Sequence, residues 1–339
     1  MAGPLKSICF VFRKKNPQFF SIEKVFETIV KRTANEGWKV MTTYVPRVSS
    51  SLLNIFRNIW WLRKEKAHLY HITGDIHYAV FAFPRRKTVL TIHDSVFIYQ
   101  TKGFKRWVML HLFLKWPVSY ATAVTTISEK SKSDIVKYGR CNPEKVTVIP
   151  DPINNHISFS KKGFNKTQPE ILFIGSTPNK NIERTIEALK GIPCRLNIVG
   201  RVDEKLIEKI KANGIVHNIS FNLTEEELNR KYAESDILLF PSLFEGFGLP
   251  ILEANQAGRP VITSNISPMK EVAGDAACLV NPEDAGSIRE GLLKVVGDEN
   301  YRSRLIAAGQ ENLKRFQVEA ISRKYSDLYQ ILLNKINSA

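Results

Sequence analysis

Two glutamates, Glu245 and Glu253, stand eight residues apart in the run Phe240-Pro-Ser-Leu-Phe-Glu-Gly-Phe-Gly-Leu-Pro-Ile-Leu-Glu-Ala254. The first falls at a glycine-rich turn. The pattern predicts the second in the first turn of a helix that Pro250 opens at its first position, where the missing N–H costs nothing. Gly246 and Gly248 flank Phe247, and the amides of Phe247, Gly248 and Leu249 would point out of the helix start. Free amides and the helix dipole together make an anion site, while carboxylates suit vicinal hydroxyls. The stretch therefore reads as a pocket for a sugar nucleotide. Taken singly, Glu253 could equally complement the dipole and the glycines could equally make a tight turn.

Other residues carry chemistry of the same kind. Lys180 is expected at a helix start, where a cation is slightly disfavoured, and that placement hints at an anionic ligand. His93 ends an apolar strand and is followed by Asp94. It could hydrogen-bond a sugar or orient an acceptor, or be an ordinary satisfied strand-end histidine. His68, His71 and His77 are clustered but lack the ligand spacing of a zinc site, and His71 could instead line a cleft. The four cysteines, Cys9, Cys141, Cys194 and Cys278, are scattered with no CxxC pair. Neither a thiolate metal site nor a disulfide framework is expected, which fits a reducing cytoplasm. No Asp-x-Asp pair occurs, so lysine and helix dipoles, rather than a divalent metal, would hold a diphosphate. No cofactor is expected.

The elements that must position these groups alternate between two periods. Apolar runs at residues 8–12, 40–44, 67–71, 80–83, 88–93, 123–126 and 146–149 predict strands. Helical patterns fall at 21–35, 52–64, 104–116 and 128–138. Pro150-Asp151-Pro152 breaks the pattern, and the polar stretch 154–169 reads as an interdomain linker. The alternation restarts with strands at 171–174, 196–199, 219–221, 237–240, 260–263 and 278–280. Helices are expected at 181–190, 204–212, 224–233, 249–257, 285–296, 301–316 and 318–333. Thr224-Glu-Glu-Glu227 is a capping-box start. Val/Ile-rich runs alternating with amphipathic helices predict parallel sheets covered on both faces. The class is α/β, with two Rossmann-like doubly wound domains and a cleft between them; ligands in such sheets bind beyond the carboxyl ends of the strands. A length of 339 residues agrees with two domains.

The charge is lopsided. The net +16 is carried entirely by residues 1–165, with 27 Lys+Arg against 10 Asp+Glu; residues 166–339 hold 22 against 23. An anionic partner for the first half follows: a membrane surface, a diphosphate-bearing acceptor or nucleic acid. The segments 52–64 and 104–116 place Trp, Phe and Leu among Arg and Lys, which suits a helix lying in an anionic interface, although buried helices can look the same. No apolar run is long enough to span a bilayer or to form a signal peptide. The expected location is cytoplasmic, peripheral on the inner face of the cell membrane.

The 240–254 string, followed by Gly258-Arg-Pro-Val-Ile262, closely resembles the E-x7-E signature of the family-four retaining glycosyltransferases (glycosyl transferases group 1) of the GT-B fold. Ile171-Leu-Phe-Ile-Gly-Ser-Thr-Pro-Asn-Lys-Asn-Ile182 is similar to that family's strand–loop–helix carrying a phosphate-binding lysine. Thr91-Ile-His-Asp94 resembles its N-domain His-Asp site, and Thr126-Ile-Ser-Glu129 and Lys145-Val-Thr-Val-Ile-Pro150 its strands before the linker. The similarity is strong over roughly residues 88–296 and weaker over the first 80.

The resemblance implies residues 1–155 as an acceptor-side domain, with a C-terminal helix at about 318–339 packing back on it, and 156–317 as the nucleotide-sugar-binding domain. It implies Glu245, His93 and Lys180 as catalytic. Glu245 would support charge at the anomeric carbon and Lys180 would neutralise the departing diphosphate. Gly246, Phe247, Gly248 and Leu249 would line the donor, and Glu253 would bind the ribose diol. It also implies retained stereochemistry and a UDP- or GDP-sugar donor. The acceptor would be lipid-linked or a polysaccharide, as in bacterial cell-surface polysaccharide synthesis.

There are departures. Many relatives carry an arginine shortly before the lysine, where this chain has Ser176-Thr-Pro-Asn179; Arg201 is one candidate replacement. A Gly-Gly loop after the first strand is replaced by Arg13-Lys-Lys-Asn-Pro-Gln-Phe-Phe20. An Asn-Gly after the Ile-Pro strand is replaced by Asp151-Pro152, which is expected to affect the hinge more than the chemistry. Two rival readings are a catalytically idle relative serving as an assembly partner and a nucleic-acid-binding protein. The latter has only charge in its favour, since no DNA- or RNA-binding signature occurs.

Overall fold

The computed structural model describes residues 6–15, 21–49, 51–93, 98, 101–153 and 157–338, without the side chains of residues 21, 22 and 24. The chain divides into two compact units, Met1–Pro152 with Gln317–Ala339, and Ile153–Phe316. Among the described residues each unit holds one six-stranded sheet, and every strand pairing is parallel.

In the first unit the strands are β1 (Ser7–Phe12), β2 (Lys39–Tyr44), β3 (Leu69–Ile72), β4 (Thr88–Ile92), β5 (Ala123–Thr126) and β6 (Val146–Val148), in the spatial order β2-β1-β3-β4-β5-β6. β1, β3, β4 and β5 are buried along their whole length, as strands covered on both faces must be. Their side chains alternate between two cores. Ile8, Phe10 and Phe12 face a cluster with Phe26, Tyr325 and Tyr329, whereas Cys9 and Val11 join Ile55, Leu62 and Tyr78. The C-terminal helix Val318–Asn337 thus completes the first unit's core through Tyr325, Tyr329, Leu332 and Leu333.

The expected strand at 80–83 is instead part of a 3-10 helix, His77–Ala82. His77, Tyr78, Ala79 and Val80 are all buried, so the run is apolar on every side and periodicity cannot distinguish strand from helix. The predicted helix 104–116 is a composite: α-helix Gly103–Leu110, a π-helical stretch His111–Lys115, and α-helix Trp116–Tyr120. The extra residue per turn lets the segment run on past Pro117, whose missing N–H would break a regular α-helix.

In the second unit the strands are β7 (Glu170–Ile174), β8 (Arg195–Val199), β9 (Val216–Ser220), β10 (Ile237–Phe240), β11 (Val261–Ser264) and β12 (Ala277–Val280), in the order β12-β11-β10-β7-β8-β9. β7 starts the unit in sequence. β8 and β9 extend the sheet one way and β10 to β12 the other. The crevice between the carboxyl ends of β7 and β10 is therefore a topological switch point. Residues 157–169, within the stretch expected as an interdomain linker, are part of this unit. The Asp236 carboxylate accepts from Lys162, from the amide of Asn165 at 3.4 Å and from the amide of Glu170 at 2.8 Å, and Arg259 donates to the Ser160 carbonyl at 2.8 Å.

Candidate functional site

Lys180 and Glu245 come from the two loops that leave the switch point. After β7 the chain turns through Gly175, at φ +94°, and forms a 3-10 turn, Pro178–Lys180, before the helix Ile182–Leu189. A side chain on Gly175 would displace the lysine: its Cβ would stand 2.7 Å from Lys180 Cε and 2.9 Å from Cγ. The lysine stem lies across the bare backbone there.

The two loops are stitched together. Asn179 Nδ2 donates to the Phe244 carbonyl at 2.9 Å, and its own carbonyl accepts from the Leu243 amide at 2.8 Å. Asn181, buried and in the left-handed region at φ 67°, donates to the carbonyls of Pro241 at 3.0 Å and Pro282 at 2.6 Å. These bonds bring Lys180 Nζ to 2.7 Å from Glu245 Oε1, with 17% and 14% of the two side chains exposed. The ammonium also lies 4.8 Å from the centre of the Phe240 ring. Sequence reasoning named both residues but not Asn179 and Asn181, which hold them together. The only trace was an Asn on each side of the lysine.

Beyond Glu245, Phe247 is buried against Phe316, ring centres 5.8 Å apart; its side chain is core. Gly248, at φ 114°, caps the helix Leu249–Ala257. Among the described residues, no acceptor takes the amides of Phe247, Gly248 or Leu249, as an anion-binding helix start requires. Two expectations need correction. Pro250 is the second helical residue rather than the first, and Glu253 is the fifth, one residue deeper than expected and just past the first turn. The helix begins at Leu249 because Gly248, in the left-handed region, makes the reversal. Glu253 therefore does not serve the dipole. Its carboxylate accepts from Tyr232 Oη at 2.5 Å. Burial raises the Glu253 pKa, the Tyr232 bond pulls it back, and the charge of Glu225 raises it further. Tyr232 was missed, although it is the one buried side chain of an otherwise charged helix, Glu225–Glu234. The expected capping box of Thr224 and Glu227 opens that helix. Arg201 stacks over Phe221 at 4.5 Å.

The first unit carries the histidine. His93 follows β4 and is 8% exposed, edge-on to Phe26 at 5.8 Å. Neither of its ring nitrogens has a hydrogen-bond partner among the described residues. Among the described residues the carboxyl within ion-pair range is that of Asp151, whose Oδ1 lies 3.9 Å from Nε2. Burial pushes His93 down to about 4; the charge of Asp75 opposes this, while His77 and Arg13 add to it. Burial alone pushes Asp151 up to about 7. Asp94 lies outside the described residues.

The clustered histidines, His68, His71 and His77, all have partners. His71 is wholly buried, with Nδ1 2.7 Å from Tyr329 Oη and Nε2 2.6 Å from Thr91 Oγ1, so it lines no cleft. His68 bonds Ser7 Oγ at 2.7 Å, and His77 bonds the Phe113 carbonyl. Among the described residues no group of three or more His, Cys, Asp or Glu could hold a metal ion. Arg13 is held by Glu23 at 2.7 Å and Asp75 at 2.9 Å; residues 16–20 of its loop are outside the described set.

Comparison with known proteins agrees with this fold. The family model for glycosyl transferases group 1 matches residues 154–312, and that for glycosyltransferase family 4 matches residues 23–156. The chain is 28% identical over 309 residues to the O-antigen chain mannosyltransferase B of Escherichia coli, covering 83% of this chain and 79% of that one. It is 30% identical over 222 residues to the O-antigen chain mannosyltransferase RfbU of Salmonella typhimurium, covering 62% of this chain and spanning 61% of that relative's length. Among solved structures, Anabaena HepE in complex with UDP and glucose superposes with a TM-score of 0.74 at 16% identity, over 96% of this chain and 99% of that one. WaaG, a glycosyltransferase involved in lipopolysaccharide biosynthesis, does so at 0.68 and 18% identity, over 95% and 99%. Two doubly wound parallel sheets, the E-x7-E corner on the second and family models that together run from residue 23 to 312 lead to one assignment: the chain belongs to the group 1, family 4 glycosyltransferases and has the GT-B fold.

Proposed function

We propose that this protein transfers a hexose from a UDP- or GDP-sugar, with retention at the anomeric carbon, to a lipid-linked or polysaccharide acceptor in bacterial cell-surface polysaccharide synthesis. The carrying observation is the ion pair of Lys180 and Glu245 at the switch point, 2.7 Å apart, beside three amides with no protein acceptor among the described residues. In this reading Lys180 and the helix start take the diphosphate, whose charge grows as it leaves. Glu245 is then released to support the developing positive charge on the sugar. Preorganised charge of this kind is usually the largest catalytic contribution. Glu253, held by Tyr232, receives the ribose diol. The departing phosphate oxygen takes the acceptor's proton in a front-face attack, so no dedicated protein base is required, and His93 contacts the sugar or the acceptor. The absence of any Asp-x-Asp pair in the sequence favours a metal-independent reaction. The names of the relatives make mannose the first sugar to test, and UDP in a structural neighbour supports a nucleotide-sugar donor.

The acceptor side is proposed to rest on an anionic membrane, on the cytoplasmic inner face. The helix Leu52–Leu62 buries Ile55, Asn58 and Leu62, and exposes Leu52, Leu53, Phe56 and Trp60 beside Arg57, Arg63 and Lys64. Phe104 and Trp107 are exposed beside Lys102, Lys105 and Arg106. Both segments pack on the 3-10 helix His77–Ala82, the second through its continuation, residues 111–120. Among the described residues no helix is long and apolar enough to cross a membrane. A thermal-shift screen of UDP, GDP, ADP and their sugars tests class and donor together. Stabilisation by one nucleotide and its sugar, lost in Lys180→Ala, is expected. Indifference to all of them would remove the proposal and leave the idle-relative alternative.

A further inference from the structure

We propose that Asp151 is a positioning residue for His93, its carboxyl fixing the imidazole through Nε2 so that Nδ1 is the ring nitrogen offered to a hydroxyl of a bound sugar. The inference rests on the proposed part of His93 in transfer, and it concerns contacts within the first unit alone.

The two histidines at the carboxyl ends of neighbouring strands make the contrast. His71, on β3, is fully buried and both its nitrogens are bonded, to Tyr329 at 2.7 Å and to Thr91 at 2.6 Å. The fold thus satisfies a histidine that serves structure alone. His93, beyond the end of β4, is only 8% exposed, yet both nitrogens lack a partner among the described residues. Native proteins rarely bury such a group without a purpose that completes it. Among the described residues the one carboxyl within ion-pair range is Asp151, 3.9 Å from Nε2 and itself 8% exposed. That gap is about one ångström longer than a hydrogen bond, within reach of a small turn of either side chain. Pro150 and Pro152 stand on both sides of Asp151 and restrict the backbone that carries it.

The chemistry makes Asp151 more than a neighbour. An ionised carboxylate accepts only, so it would select the tautomer with the proton on Nε2 and leave Nδ1 as an acceptor for a sugar hydroxyl. A protonated carboxyl would donate to Nε2 and turn Nδ1 into a donor. Burial holds His93 down at about 4 and Asp151 up at about 7. Near neutrality the imidazole therefore stays uncharged while the carboxyl titrates. The groups that face the pair are few. Asp75 is paired with Arg13 at 2.9 Å, and Arg13 is also held by Glu23. His77 and His71 interact with His93, and Tyr325, on the C-terminal helix, is affected by Asp151.

The test uses the full chain with histidine nitrogens labelled for NMR, followed from about pH 5 to about pH 9, a range that brackets the Asp151 transition. In the wild type the His93 proton is expected on Nε2 above the transition and to redistribute below it. In Asp151→Asn this redistribution disappears, and in Asp151→Glu, which keeps a carboxyl, it returns. Turnover of GDP-mannose and UDP-glucose is measured on the same samples. Loss of the partner that fixes the tautomer of a functional histidine lowers turnover, so kcat is expected to fall by at least about tenfold in Asp151→Asn with the donor KM little changed. The pH inflection should be lost there and restored in Asp151→Glu. A His93 tautomer that is the same in the wild type and in Asp151→Asn overturns the proposal whatever the activity. A tautomer that follows Asp151 while kcat and the pH profile stay unchanged overturns the positioning role in transfer. Neither result touches the donor reading, which stands or falls on nucleotide binding at Lys180.

Discussion

Lys180 Nζ donates to Glu245 Oε1 at 2.7 Å, a pair 65 residues apart in sequence and more than four-fifths buried on each side. The cation proposed for the diphosphate and the carboxylate proposed for the sugar thus hold one another. A diphosphate arriving at Lys180 would compete with Glu245 for the ammonium, coupling donor binding to release of the acid. Glu245→Ala is expected to lower kcat by about 100-fold or more while leaving nucleotide affinity intact or improved. Lys180→Ala is expected to weaken nucleoside diphosphate binding. A double-mutant cycle read by calorimetry should give a coupling of about 0.5–3 kcal/mol; additive effects would show that the two side chains act independently.

Gly175→Ala tests whether the lysine needs bare backbone beneath it. The new methyl would meet Lys180 at 2.7–3.1 Å, whereas at Gly191, which also has a positive φ, nothing lies within 4 Å. Both alanine variants should lose about 1–2 kcal/mol from the left-handed backbone. Only Gly175→Ala should also lose nucleotide binding. Thermal shift with and without nucleotide separates the two effects.

Tyr232→Phe removes the hydroxyl that donates to Glu253 at 2.5 Å. Loss of a hydrogen bond to a charged group costs about 1.5–3 kcal/mol, part of it in stability and part in donor affinity. If Glu253 serves the ribose, affinity for UDP or GDP should fall while affinity for pyrophosphate, which has no ribose, is unchanged. Equal loss for both would place Glu253 outside the ribose site.

The pH dependence of stability should reveal two opposing slopes. Asp151, raised from 3.8 to about 7, keeps a proton in the folded chain that the unfolded chain has lost. Its contribution is present at low pH and disappears as pH rises towards about 7. His93, lowered from 6.5 to about 4, resists a proton that the unfolded chain accepts. Its contribution is present above about 6.5 and is lost as pH falls. Each proton is worth about 1.4 kcal/mol per pH unit at most, so in the wild type the two largely cancel between about pH 4 and 6.5. Relative to wild type, Asp151→Asn should gain stability as pH rises through this window and His93→Gln should lose it. Urea unfolding at several pH values reads both, and parallel curves for all three proteins would refute the assignment.

Phe56 is 68% exposed and Trp60 75% exposed, one helical turn apart. Alanine at both should reduce sedimentation with phosphatidylglycerol vesicles about tenfold or more, since each buried aromatic contributes roughly 1.5–3 kcal/mol. Binding of the wild type should weaken with salt. Unchanged binding would move the membrane surface elsewhere.

The parts of this protein that are local in sequence were legible there. Strand and helix periods predicted the two α/β halves, and the glycine corner at 245–249, Lys180 and the helix beginning at Leu249 could be named before any fold was known. The errors fall where local pattern is silent. The run at 80–83 is apolar on all sides, so its burial hides its period. The depth of Glu253 depends on which glycine makes the reversal. Residues 157–169 have little periodicity, yet Asp236 draws them onto the second sheet.

The sequence by itself pointed to the residues proposed for phosphate and sugar, because charge, glycine placement and helix starts depend on neighbours in the chain. Only the tertiary structure decided who faces whom. Parallel strand order set β7 beside β10 and so brought Lys180 to Glu245 across 65 residues. Packing of the Tyr232 helix gave Glu253 its donor, and the return of the chain at Pro150–Pro152 set Asp151 beside His93. Side-chain pairing across a sheet follows from strand order, and strand order is fixed by the whole fold's burial rather than by any stretch of it.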